Sequence, residues 1–207
     1  MKKLETILKK ENYNFKVIEK IGDGETSQIF LGEFNNTKSI FKLSKKIKFK
    51  LIINEYLKNE IIQKIVKKNI SPKILFHDLH SGLIIYEYFE KDSSDKLFNN
   101  FYQLGKKLKE LHEITSNKKI KTFEDQFNLY LNVSSSELDN KYFNDAVDLF
   151  DELNVSKENY VLSHNDLNSS NVMFKNNKIV FIDFEYLSIN SKYCLLYTSD
   201  AADETGR

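Results

Sequence analysis

The residues best suited to chemistry lie in "LSHNDLNSSNVMFKNNKIVFIDFEY", residues 162–186. Asp166 is followed five residues later by Asn171, and Asp183 comes at the end of the next apolar run. If Asn176 and Asn177 make a two-residue hairpin turn, Lys175 opposes Lys178 and Asn171 lies opposite Ile182, beside Asp183. One carboxamide and two carboxylates then converge at one end of a rigid ribbon. Such oxygens suit Mg²⁺, which takes one or two protein oxygens and leaves its other positions to water and phosphate. Asp166 remains to accept or orient a proton. Phosphoryl transfer needs little more, because its catalysis is mainly positioning and charge neutralisation. Taken alone, the same Asp and Asn residues also suit a loop and a turn.

The elements that must hold these groups can be read along the chain. "YNFKVIEKIG", "SQIFLGEF" and "KSIFKL" read as strands separated by "GDGET" and the turn "NNT". Residues 49–68 carry Leu51, Ile52, Tyr56, Leu57, Ile61, Ile62, Ile65 and Val66 at helical spacing, and the single proline, Pro72, stands just beyond. "KILFHDL" and "LIIYEYF" form a hairpin around "HSG". Helical texture follows residue 92, with Leu97, Phe101, Leu104, Leu108 and Leu111 along one face. Helices are also predicted over 123–131 and 138–153, opened by Thr122 with Asp125 and by Ser136 with Asp139 at near capping-box spacing. "NYVLSH", "NVMF" and "KIVFID" return to strand. At the N-terminus, Leu4, Ile7 and Leu8 predict a short helix docked on the domain.

Composition narrows the class. A chain of 207 residues with net charge +1 offers no basic face that argues for nucleic acid. Lysine to the near exclusion of arginine, with abundant Asn and Ile, reads as an AT-rich coding sequence, so "KSIFKLSKKIKFK" is a solvated surface. One cysteine allows no disulfide within the chain. Charges interrupt the N-terminal apolar residues, so they are not a signal peptide, and no run reaches a membrane span of roughly 18 apolar residues. The expected location is cytoplasmic. His77 and His80, flanking Asp78, lack a third ligand nearby and read as surface histidines.

His164-Asn165-Asp166, Asn171, and Asp183-Phe184-Glu185-Tyr186 together resemble the signature of the choline/ethanolamine kinases, within the wider aminoglycoside-phosphotransferase group. The resemblance implies an α+β, two-lobed protein-kinase-like fold, with a β-rich N-lobe carrying one helix and a mainly helical, here incomplete, C-lobe. It implies ATP and Mg²⁺ as cofactors, with Asp166 catalytic and Asn171 and Asp183 holding the metal. Gly22, Gly24, Thr26 and Ser27 match the loop that closes over nucleotide phosphates, and Lys42 the lysine that neutralises them. Its expected carboxylate partner is Glu55, or alternatively Glu60. Backbone groups of Glu87, Tyr88 and Phe89 match the hinge that meets adenine, and His112 is expected to be structural.

The implied domains are an N-lobe over 1–89, a partial C-lobe over 90–193, and a foreign tail over 194–207. That tail, "CLLYTSDAADETGR", holds the only Cys and the only Arg, and "CLLYTSDAAD" reads as a translated transposase-adapter DNA sequence. The expected activity is ATP-dependent phosphorylation of choline or ethanolamine, with the 207-residue fragment inactive. An aminoglycoside or sugar acceptor is the alternative. A nucleotide-binding pseudokinase or regulatory module is the alternative from another class.

Overall fold

The computed structural model describes residues 2–9, 13–24, 26–45, 60–78, 80–90, 101–116, 120–122, 160–175 and 178–192, with isolated helical positions at 125, 128, 144–145, 148–149 and 152. Residues 49–59, Glu55 among them, and the 194–207 tail lie outside the described residues. Most of the helices expected over 123–131 and 138–153 does too. The chain divides into two units, Met1–Glu110 with Ser169–Glu185, and Leu111–Asn168 with Tyr186–Arg207.

The first unit is built on a five-stranded antiparallel sheet in the order β1-β2-β3-β5-β4. Its strands are β1 (Phe15–Asp23), β2 (Ser27–Phe34), β3 (Thr37–Ser44), β4 (Ile74–Asp78) and β5 (Leu83–Glu87). Phe34 pairs with Thr37, so Asn35 and Asn36 form the whole β2–β3 turn, at φ 49° and 63°. Positive φ at both central residues is the primed turn that matches strand twist, and Asn tolerates it better than most residues. Helix α1 (Lys2–Lys9) buries Leu4 and Leu8 completely against Phe30, Phe34, Phe41, Leu43, Leu83 and Ile85, as its apolar spacing predicts. Burying each such leucine contributes about 1.5–3 kcal/mol.

Helix α2 (Glu60–Lys67) buries Ile61, Ile62 and Ile65. It ends in a left-handed residue, Asn69, at φ 53°. The Asn69 N–H donates to Val66 O at 2.9 Å and the Ile70 N–H to Ile65 O at 3.0 Å, the paired bonds of a Schellman stop. Pro72 follows, as expected. Along helix α3 (Phe101–His112) the expected apolar face is covered unevenly. Leu111 is buried and Leu104 and Leu108 are half-buried, but Phe101 is 64% exposed.

Strands β7 (Val172–Lys175) and β8 (Lys178–Phe181) form the predicted hairpin, with Lys175 opposite Lys178. In the second unit, β6 (Tyr160–Ser163) pairs with β9 (Ser188–Ser191), a strand the sequence pattern did not announce. The Thr122 N–H donates to Asp125 Oδ2 at 2.9 Å, and the Asp125 N–H to Thr122 Oγ1 at 3.1 Å. These reciprocal bonds fulfil the capping box read from the sequence. No described helix is long and apolar enough to cross a membrane.

Candidate active site

Lys42 lies in mid-strand on β3, between Ile29 of β2 and Ile84 of β5. A strand position with neighbours on both sides gives its ammonium a fixed origin. That ammonium forms an ion pair with Asp183, with the lysine side chain 11% exposed and the carboxylate side chain 31%. The β7–β8 hairpin supplies Asp183. The Ile182 N–H donates to Asn171 O at 3.0 Å, setting Ile182 opposite Asn171 as the two-residue turn requires. The Phe181 N–H donates to Ile70 O at 2.7 Å, which ties the hairpin to the end of α2. Asp183 itself sits at φ 66°. A non-glycine residue there is uncommon, and such outliers concentrate at functional sites.

The structure thus brings Lys42 and Asp183 into contact and sets buried Asn171 at the open end of the same ribbon. Glu55 lies outside the described residues, and Glu60 accepts from Lys64 Nζ at 3.0 Å.

Gly22 near the end of β1, Gly24 and Thr26 in the following turn, and Ser27 at the start of β2 lie close together in sequence. A Cβ on Gly22 would come within 3.3 Å of the Ile29 side chain, whereas Gly24 has room. Ser27 is buried and Thr26 half-buried. Asp23 forms ion pairs with both Lys20 and Lys45, and the Lys45 N–H donates to Thr26 O at 2.8 Å. Those bonds brace the turn from both sides. Hydrogen bonds from Lys20 and then Lys45 hold the Asp23 carboxyl down at about 2. The sequence had not singled out this brace, although an Asp between two glycines near lysines is its signal.

At the hinge, two of the expected backbone donors are committed. The Glu87 N–H donates to Lys73 O at 2.8 Å and the Tyr88 N–H to Lys38 O at 2.9 Å. Lys38 Nζ also sits 3.9 Å above the Tyr88 ring centre. Among the described residues no backbone carbonyl accepts from the Phe89 N–H. Just before the hinge, burial and then the charges of Asp183 and Glu185 push the Tyr86 phenol above its ordinary range.

A cleft of about 790 Å³ on the first unit is lined by Glu87, Tyr88 and Phe89, but not by Gly22, Lys42, Asn171 or Asp183. Lys68, Lys73, Lys106, Lys107 and Lys178 also line it. Lys107 pairs with Glu110 at 2.7 Å and reaches Lys68 O at 3.5 Å. Lys107 thus stands at the carbonyl end of α2, where a cation is favourable.

Asp166 belongs to the second unit. It lies on the loop leaving β6, where its Oδ1 accepts from Asn168 Nδ2 at 3.1 Å and its carbonyl from the Asn168 N–H at 3.1 Å. His112, in the same unit, has a buried Nε2 with no hydrogen-bond partner among the described residues, and burial pushes its pKa down. This half-buried imidazole fits the structural role expected for it. His77 and His80 are exposed, and the described residues contain no group of three His, Cys, Asp or Glu able to hold a metal.

Against known proteins, residues 18–194 match the profile of the choline/ethanolamine kinase family. A LicA homologue of Mycoplasma capricolum is 29% identical over 128 residues, which are 59% of this chain and 51% of that protein. Choline kinase LicA from Streptococcus pneumoniae superposes with a TM-score of 0.69 at 19% identity, covering 99% of this chain and 77% of that one. An ethanolamine kinase of Plasmodium vivax superposes with a TM-score of 0.64 at 21% identity, covering 88% and 58%. The chain thus spans about half the length of the curated relative it matches. The structural likenesses give the fold: α+β and kinase-like, with two lobes of which the second is incomplete.

Proposed function

The chain belongs to the choline/ethanolamine kinase family, and from that premise we propose that it transfers the γ-phosphoryl group of ATP to the hydroxyl of a small amino alcohol, choline or ethanolamine. The observation that supports this best is the Lys42–Asp183 ion pair at the end of the ribbon that Asn171 opens. A cation and an anion held together there are the two halves of a site for a metal–phosphate complex.

The donor chemistry fits magnesium. Asp183 offers a carboxylate that is only partly buried, and Asn171 a carboxamide oxygen, both hard ligands. Asn171 and Asp183 would hold the ion, which would supply charge that neutralises the phosphates. Lys42 exchanges Asp183 for the α- and β-phosphates, so each partner finds an opposite charge in the loaded state. Gly22 and Gly24 let the braced turn lie over the phosphates, where Thr26 and Ser27 add hydroxyl contacts. The Phe89 N–H is the hinge donor left for adenine. Asp166 accepts a hydrogen bond from the acceptor hydroxyl and takes its proton as the phosphoryl group arrives.

The relatives' extra length argues that turnover belongs to a form extended beyond these 207 residues, with residues 194–207 replaced by native sequence. The chain as written then binds nucleotide without turning over. Lobes over 1–89 and 90–193 are part of the same proposal, as is a cytoplasmic location.

The test is ADP release by the extended enzyme with choline, ethanolamine or kanamycin as acceptor. The reading expects one of the amino alcohols to be used fastest. Faster use of kanamycin would move the assignment to the aminoglycoside phosphotransferases, and nucleotide binding with no turnover of any acceptor would favour a regulatory module.

A further inference from the structure

Asn165 stands between His164 and Asp166 and has no part in the chemistry described so far. Its backbone is left-handed, at φ 61°. Its carboxamide lies at the centre of a hydrogen-bond network contained within the second unit. Nδ2 donates to Tyr186 O at 2.8 Å and to Ser188 Oγ at 2.7 Å, with Ser163 O a weaker third acceptor at 3.3 Å. Oδ1 accepts from Asn190 Nδ2 at 2.9 Å.

The amide orientations in this network are dictated by groups that cannot reverse. The Ser191 N–H can only donate, and it donates to Asn190 Oδ1 at 2.8 Å. Asn190 must therefore turn its Nδ2 toward Asn165, which must answer with Oδ1. At the other end the Tyr186 carbonyl can only accept, so Asn165 must present its N–H there. A carboxamide alone among side chains of this size meets both demands. Tyr186 closes the short turn Phe184–Tyr186 that follows Asp183, and Ser188 and Asn190 lie on β9, the partner of β6. Asn165 thus fastens the loop leaving β6 to Tyr186 and to β9, one residue before Asp166.

We infer that Asn165 is a positioning residue for phosphoryl transfer, with Asn190 as its partner: their amide pair fixes the backbone from which the Asp166 carboxylate reaches the acceptor hydroxyl. The inference rests on the function proposed above. A displacement of about 1 Å in a catalytic group can cost about 10²-fold in rate.

The test is steady-state kinetics on the extended enzyme with its preferred alcohol, comparing Asn165→Ala, Asn165→Gly, Asn190→Ala, Asp166→Ala and the double variant Asn165→Ala/Asp166→Ala. Asn165→Gly keeps the left-handed backbone accessible while deleting the bonds, so it reports on the network even if the alanine variant does not fold. Both Asn165 variants should lose about 10- to 100-fold in kcat with KM for ATP unchanged, and Asn190→Ala should lose less in the same direction. Because Asn165 acts through Asp166, adding Asn165→Ala to Asp166→Ala should cost almost nothing further. Losses that multiply in the double variant, a defect confined to KM for ATP, or an Asn165→Gly enzyme with normal kcat would overturn the inference. If the unsubstituted enzyme uses neither alcohol, the functional reading falls and this inference falls with it.

Discussion

Lys42 and Asp183 are 141 residues apart in sequence and form an ion pair. The lysine comes from the middle of a five-stranded sheet, the aspartate from beyond a two-stranded hairpin, and each side chain is largely withdrawn from water. Removing either partner strands the other charge. The cost should be about 1–3 kcal/mol, below the about 3–5 kcal/mol of a fully enclosed pair, because Asp183 keeps 31% of its side chain exposed.

The roles proposed for Asp183 and Asp166 can be separated by nucleotide binding. Asp183→Ala should abolish magnesium-dependent binding of a fluorescent ATP analogue, whereas Asp166→Ala should bind it as the parent does. Loss of binding in Asp166→Ala with retention in Asp183→Ala would reverse the assignment.

Two glycines should respond oppositely to alanine. A Cβ on Gly32 would lie 2.3 Å from Lys16 O and 2.7 Å from the Phe41 ring, so Gly32→Ala should destabilise by about 1–3 kcal/mol. Gly105, within α3, has nothing within 4 Å of an added Cβ, so Gly105→Ala should stabilise by about 0.5–1 kcal/mol. Urea denaturation midpoints of the two variants check both signs.

Asp23 provides a test in acid. Its folded pKa, held at about 2 by Lys20 and Lys45, lies below the ordinary 3.8. The small stabilisation it contributes is therefore present above pH 3.8 and is lost as pH falls through about 2. A ¹³C-carboxyl NMR titration should place its midpoint near 2, and Lys20→Ala should raise it. A midpoint unmoved by that substitution would remove the brace from the account. At the alkaline end, Tyr86 is raised by burial and then by Asp183 and Glu185. Its contribution is complete below the ordinary value of 10.0 and is lost as pH rises toward its folded value, and Asp183→Asn should bring that titration down.

The hairpin register was legible because an Asn-Asn turn between apolar strands admits few pairings, and Lys175 does face Lys178. The docking of α1 and the end of α2 before Pro72 were legible for similar local reasons: apolar spacing, and a proline just beyond the helix. The contact of Lys42 with Asp183 was not. Spacing along β3 carries no record of a carboxylate arriving from 141 residues away. Strand β9 was missed because "SINS" contains a single apolar residue, so its pairing with β6 is set by backbone bonds and by the Asn165 network rather than by alternation. Phe101 misled in the other direction, since helical spacing says which residues share a face but not where along the helix that face is covered.

The central claim is that Lys42, Asn171 and Asp183 hold a magnesium–ATP complex from which phosphate passes to an amino alcohol. The most direct measurement is ³¹P NMR of the products formed from ATP and choline or ethanolamine, by the extended enzyme and its Asp183→Ala variant, with and without magnesium. The account predicts a phosphomonoester of the alcohol only when magnesium and Asp183 are both present. Equal phosphomonoester formation by Asp183→Ala, or by the unsubstituted enzyme without a divalent cation, would contradict it.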